Sequence, residues 1–434
     1  MSTESNFPKS AVSISRRELM AAGAAGGALA ALGAIAPTSM AGAAQTEELS
    51  GEITYWHHFT SESEMQGLAQ ATEMFLEQYP GVSITSENIP NADYMTQFTT
   101  AAVAGALPSA AMASADRIPD MLALGGLVDL TDRFDSWEDK ANISESLMPG
   151  ATIDGQVVGL PMFLFVDWLY YRKDWFEEAG IEPPSTWEEM REAAIAITDV
   201  EAGRYGFGLR GGDGGQGGVM NVMRAFGGLA VDESGIPVID REKAIEAVSF
   251  WAGLYTTDGV APPSAPNDSY SQIMQAFRTG QTGMVLHHTG SLAEIMADLT
   301  PEQVMTIPVP AGPVMRVAGV SPQYNAITSD ENQDAAWAWL TFWTTPDVAI
   351  DFLEITGYFP ASLAASEDAR ITDNPIYDAA RESIDQGVPP LQFVGAPGWA
   401  GTSVLPAFQQ VLTGQATPEE AVDQMIADLE AEVG

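Results

Sequence analysis

Residues 53–85 read ITYWHHFTSESEMQGLAQATEMFLEQYPGVSIT, and they decide the fold class. Ile53-Thr54-Tyr55-Trp56 is a run of branched and aromatic residues, the composition of a strand. Ser61 and Glu64 stand at capping-box spacing, which starts a helix. Leu68, Thr72, Phe75, Leu76 and Tyr79 recur on one face of that helix. Pro80-Gly81 stops it, and Val82-Ser83-Ile84-Thr85 is the next strand. Strand, helix, strand is the α/β pattern, a sheet covered by helices.

The alternation continues along the chain. Val157–Leu160, Trp168–Tyr171, Met284–Leu286 and Thr306–Val309 are predicted strands. Thr186 and Glu189 form a second capping box, with Met190, Ala193, Ala194 and Ile197 as the apolar face. Helices are also predicted over Arg241–Tyr255 and Ala335–Trp343. A last helix starts at Thr417, with Pro418 at its first position and Glu420 at its third. The cluster Gly211-Gly212-Asp213-Gly214-Gly215-Gln216-Gly217-Gly218 reads as a tight or surface loop. It lacks the Lys-Ser/Thr of a nucleotide P-loop and the dinucleotide spacing.

The first 44 residues have a different character. Ser15-Arg16-Arg17-Glu18-Leu19-Met20 is a twin-arginine stretch, followed by an Ala/Gly-rich run to Ala36 and by small residues at 41–44. Charged, apolar and small segments in that order predict a twin-arginine export signal over 1–44 and an extracellular, cell-surface-associated protein, the signal being cleaved near Ala41–Ala44 or, alternatively, kept with 15–36 as a weak anchor. The remaining 390 or so residues exceed one ordinary core, so two or three domains are expected. No stretch after residue 44 has the apolar length of a membrane span.

The chain has no cysteine, which excludes disulfides, thiol catalysis and a cysteine lipid anchor. Its formal charge is −41, from 59 acids and 18 bases. Without residues 1–44 it keeps 57 acids and 15 bases. Such a surface repels itself unless salt screens it, so a salt-rich setting is expected, with acid adaptation as the rival. Nucleic acid is excluded as a partner, because phosphate binding needs basic patches.

Three stretches carry a family likeness. They are Gly51–His57; Leu169-Tyr170-Tyr171-Arg172-Lys173-Asp174-Trp175-Phe176-Glu177-Glu178-Ala179-Gly180 with Pro183–Glu189; and Ala276-Phe277-Arg278-Thr279-Gly280-Gln281-Thr282-Gly283-Met284. From about Glu52 to Glu430 the chain resembles the extracellular solute-binding proteins of ABC-type sugar importers, best the maltose- and oligosaccharide-binding class. The resemblance implies an α/β fold of two lobes with discontinuous sequence and a hinge cleft. One lobe would take 50–164 and 307–350, the other 165–306 and 351–434. It also implies a sugar ligand, a membrane-embedded ABC permease as partner, a monomer, and no cofactor or resident metal.

Sugars are held by rings against their C–H faces and by short polar groups on their hydroxyls. Trp399, set among glycines 395, 398 and 401, is expected to stand exposed in the cleft. The resemblance brings Asp167, Trp168 and Tyr358 to the same place; packing is the alternative for Trp168. Where relatives carry a further Trp, this chain has Gly290-Ser291-Leu292, which favours a small sugar over a long maltodextrin. The only histidines form two pairs, His57-His58 and His287-His288, each after a predicted strand. They fit sugar contact, structural hydrogen bonding or a zinc or copper site. A phosphate ligand such as a glycerol phosphate would want an Arg or Lys clamp, and the expected cleft stretches contain few. A secreted carbohydrate-active enzyme is a further alternative. It would need two positioned carboxyls, but among 59 acids some pair is always near, so their number identifies nothing. No H-E-x-x-H or G-x-S-x-G motif occurs, and binding without turnover is expected.

Overall fold

A computed structural model describes residues 49–91, 93–232, 235–385 and 387–433. The predicted export signal lies outside the described residues. The opening strand is β1 (Ser50–His57), followed by helix α1 (Glu62–Gln78) and β2 (Gly81–Asn88). The Ser61–Glu64 capping box is formed as the spacing predicts. Then come β3 (Ala110–Ser114), β4 (Leu160–Arg172), β5 (Tyr205–Phe207), helix α2 (Gly215–Ala225), β6 (Thr282–His288), β7 (Val304–Pro308) and β8 (Ala318–Ile327).

These strands run in the order β2-β1-β3-β8-β4-β6-β5, with β7 also on β4. β1 pairs parallel with β2 and β3, and β5 pairs parallel with β6. β8 and β4 are antiparallel to their neighbours. The 13-residue β4 ties the two halves together. Its first part pairs with β8, ending at Val166 opposite Val320. Its second part pairs with β6, beginning at Asp167 opposite His288. The change of partner therefore falls at Val166–Asp167.

The chain folds as two lobes of α/β structure. Tyr55, Phe59, Phe75, Leu160, Phe163, Trp339 and Trp343 belong to one core. Leu169, Trp175, Trp187, Phe207, Trp251, Trp399 and Phe408 belong to another. A third core holds Trp168, Tyr170, Phe277, Val285 and Leu353. Burying a side chain of this size stabilises by about 1.5–3 kcal/mol, which fixes each lobe internally. The Gln392 amide donates to Ala115 O and Gly150 O, both at 3.1 Å, and Gly395 N–H donates to Asp120 Oδ1 at 3.0 Å.

Candidate functional site

The end of β6, the start of β8 and the β5–α2 loop converge on Asp167. Two adjoining cavities of about 170 and 200 Å³ open there and share Asp167, Gly217 and Asn221. The first also touches Asp116, Arg224, Gly319 and Ser321. The second is lined by Arg210, His287, His288, Trp251 and Phe207 among others. α2 runs along both. Gly217, Met220, Asn221 and Arg224 occupy one helical face, at spacings of three and four.

Glycines make this arrangement possible. A Cβ on Gly319 would sit 2.2 Å from Asp167 Oδ2 and 3.0 Å from Asn221 Nδ2. Gly214 has φ +84°, and a Cβ there would lie 1.9 Å from Arg210 Nη2. The glycine cluster is thus a close seat for the Arg210 guanidinium and the start of α2, not a plain surface loop.

Arg210 Nε donates to Asp213 O at 2.6 Å, and its Nη1 lies 3.5 Å from His287 Nε2. Arg224 Nη1 donates to Pro389 O at 2.9 Å. Burial lowers both guanidinium pKa values, that of Arg224 to about 10. Burial likewise raises the Asp167 carboxyl to about 7, against the pull of Arg210 and of the Gly319 N–H. Near neutrality Asp167 therefore both donates and accepts hydrogen bonds. Together with the Asn221 amide it forms a polar seat matched to hydroxyl groups.

The histidine pairs fare differently. His287 is buried, with Nδ1 2.7 Å from Ser291 Oγ and its ring against Tyr270. His288 Nδ1 accepts from Gly290 N–H at 3.2 Å. The chain turns at Thr289, so the two rings lie 4.1 Å apart instead of on opposite faces. His57 is 1% exposed and accepts from Phe59 N–H at 3.2 Å. His58 packs edge-on to Tyr94, with Nδ1 buried and unpartnered. Burial lowers every imidazole: His57 to about 4, His58 and His288 to about 3, and His287 well below the ordinary value. All four are neutral at pH 7. Rings link the pairs, from His57 through Phe59, Phe163, Tyr358 and Phe165 to His288. Among the described residues no group of three or more His, Asp or Glu is placed to hold a metal.

Five of the expected contacts, Trp399, Trp168, Tyr358, His57 and His58, are absent from the walls of these two cavities. Trp399 is 2% exposed, and its Nε1–H donates to Met425 O at 3.0 Å. Here the structure differs from the sequence expectation. Its neighbours Ala396, Pro397 and Ala400 line the cleft, while the ring turns inward on the last helix. The small residues make the wall, and the tryptophan anchors it. Trp168 is fully buried on the face of β4 opposite Asp167. Tyr358 is buried too, its hydroxyl donating to Glu64 Oε1 at 2.6 Å. Asp167, His287 and His288 do line the second cavity. Sequence reasoning missed Arg210, Arg224 and Asn221. The one available signal was Arg224, which has no acid within four positions.

Two lobes, a strand that changes partner between them and a polar cavity at the crossing define a periplasmic-binding-protein fold. The chain belongs to the bacterial extracellular solute-binding protein family, which it matches over residues 58–350. This is a family of non-catalytic binding proteins that present small solutes to ABC permeases. A binding protein of Brucella abortus is 23% identical over 374 residues, covering 83% of this chain and 88% of its own. The lactose-binding protein of Rhizobium radiobacter is 25% identical over 323 residues, 71% of each chain. An ABC-transporter solute-binding protein of Thermotoga lettingae, solved with α-D-tagatose, superposes with a TM-score of 0.80 at 22% identity. It covers 89% of this chain and 100% of its own.

Proposed function

We propose that this protein is the receptor of a sugar importer and binds a small sugar or sugar-like solute between its lobes. The observation that carries the reading is the polar seat of Asp167 and Asn221 at the crossing of β4, shared by two small cavities. Asp167, His287 and His288 are the proposed ligand contacts. The cavities, of about 170 and 200 Å³, suit a mono- or disaccharide better than a long dextrin. Lactose and tagatose, named for two similar proteins, support a small sugar. The lobes are proposed to divide as 50–164 with 307–350 against 165–306 with 351–434. The receptor acts as a monomer, exported by the twin-arginine route with its signal cleaved, in a salty milieu.

A thermal-shift screen of mono- and disaccharides in molar salt tests the reading. A binding sugar at a hundred times its Kd stabilises the fold by about 2.7 kcal/mol. No shift with any solute counts against it, and released hydrolysis products would favour an enzyme instead.

A further inference from the structure

The cations of this protein are divided in an unusual way. Among the described residues, every lysine and all but four arginines stand within ion-pair distance of a carboxylate. With 59 acids in the chain, that is what chance and attraction both produce. The exceptions are Arg117, Arg210, Arg224 and Arg316. Arg316 donates to Val309 O at 2.6 Å; Arg117 donates to Asn91 and lies over the Tyr94 ring with its Nη1 buried and unpartnered, and neither of them lines the two cavities. Arg210 and Arg224 line the two cavities.

A guanidinium withdrawn from water without an anion is unfavourable, and acids to pair with it are everywhere in this sequence. Asp167 and Asp213 act on Arg210 only from beyond ion-pair distance. Arg210 has five N–H donors. Asp213 O takes one at 2.6 Å, and a second makes only the long 3.5 Å approach to His287. The cavity it faces is entered by the first turn of α2, at Gly214, Gly215, Gly217 and Gly218, where helix geometry also favours negative charge. Among the described residues, Asp167 is the only carboxylate on that cavity's wall. The neighbouring histidines bring hydrogen-bonding atoms without bringing a carboxylate.

We propose that the solute carries an oxyanion, a phosphate monoester or a carboxylate on a small polyol or sugar, and that Arg210 holds it at the start of α2. Its hydroxyls then reach Asp167 and Asn221, with Arg224 at the far end of the same helical face. This rests on the receptor reading above and names the ligand's chemical class.

Calorimetric titration of the mature protein in molar KCl tests it. The charged probes are sn-glycerol 3-phosphate, D-glucose 6-phosphate and D-gluconate, and the neutral ones are glycerol and D-glucose. At least one charged probe should bind about tenfold or more tighter than its neutral counterpart. Which charged probe wins separates phosphate from carboxylate. Arg210→Gln should lower the charged-to-neutral affinity ratio about tenfold or more, and Arg210→Lys should restore part of it. Circular dichroism of each variant establishes that it is folded. Neutral sugar bound as tightly as its charged analogue, or a ratio unmoved in folded Arg210→Gln, overturns the proposal and leaves the receptor reading standing. Binding of none of the probes overturns the proposal, and the receptor reading is then decided by the thermal-shift screen of mono- and disaccharides.

Discussion

Arg191 and Arg224 both rise from helices, yet they have opposite surroundings. Arg191 grips Asp258 with two parallel bonds of 2.6 and 2.8 Å. Arg224 meets one carbonyl, that of Pro389, and opens on the cleft. The difference teaches how a chain of charge −41 uses its few cations. Outside, they fasten elements together: Arg241 to Asp423, Arg133 to Asp334, Arg278 to Glu294 and Asp298. Inside, two are withheld from the acids. The outer pairs belong to stability, and the two inner cations are the ones proposed for binding.

That comparison breaks most visibly with salt. The unpaired acids of the outer surface repel one another over about 10 Å at 0.1 M salt, but over only about 3 Å at 1 M. Moving the mature protein from molar to about 0.1 M salt should lower its thermal midpoint by more than about 5 °C. Scanning calorimetry measures it. An unchanged midpoint would detach the acid excess from a saline setting.

A smaller effect separates the two kinds of arginine directly. Arg191→Gln leaves Asp258, whose side chain is 7% exposed, without its partner, and should cost about 1–3 kcal/mol. Arg224→Gln removes a charge that no carboxylate compensates, and in ligand-free protein should change stability by less than about 0.5 kcal/mol. Urea midpoints of both variants decide it. Equal losses would show that Arg224 is structural after all.

Much of the fold is legible because its signals are local. The boxes Ser61–Glu64 and Thr186–Glu189 form as their spacing predicts. In the last helix Thr417 and Glu420 bond reciprocally. The strand predicted at Trp168–Tyr171 is the second half of β4. What escapes is the middle of the sheet. β3 is Ala-Ala-Met-Ala-Ser, small residues with little strand preference that are buried on both faces. β8 contains Gly319 and Pro322, which argue against a strand; in the fold Gly319 pairs with Val388 and Pro322 stands opposite Leu164 of β4, just before a register shift at Gln323–Tyr324. The site is legible in the same uneven way. Asp167 and the pair His287-His288 reach the cleft because the crossing of β4 and the end of β6 put them there. Trp399 misleads, because glycine neighbours signal an open wall without fixing which way the ring turns. Arg210 is invisible because a cation's lack of a partner is a tertiary fact, and Arg224 shows only the absence of an acid within four positions, a trait that Arg316 shares.

The central claim is that the solute sits against α2 in the paired cavities, and Gly217 tests it most directly. Gly217 lines both cavities, and a Cβ there meets no atom within 4 Å. Gly217→Phe therefore places a ring in the binding volume without forcing the backbone. Calorimetric titration of this variant, with whichever sugar or anionic solute the wild type binds, should show affinity reduced about a hundredfold or more at an unchanged unfolding midpoint. Wild-type affinity in the folded variant would contradict the account, because the ligand would then lie elsewhere.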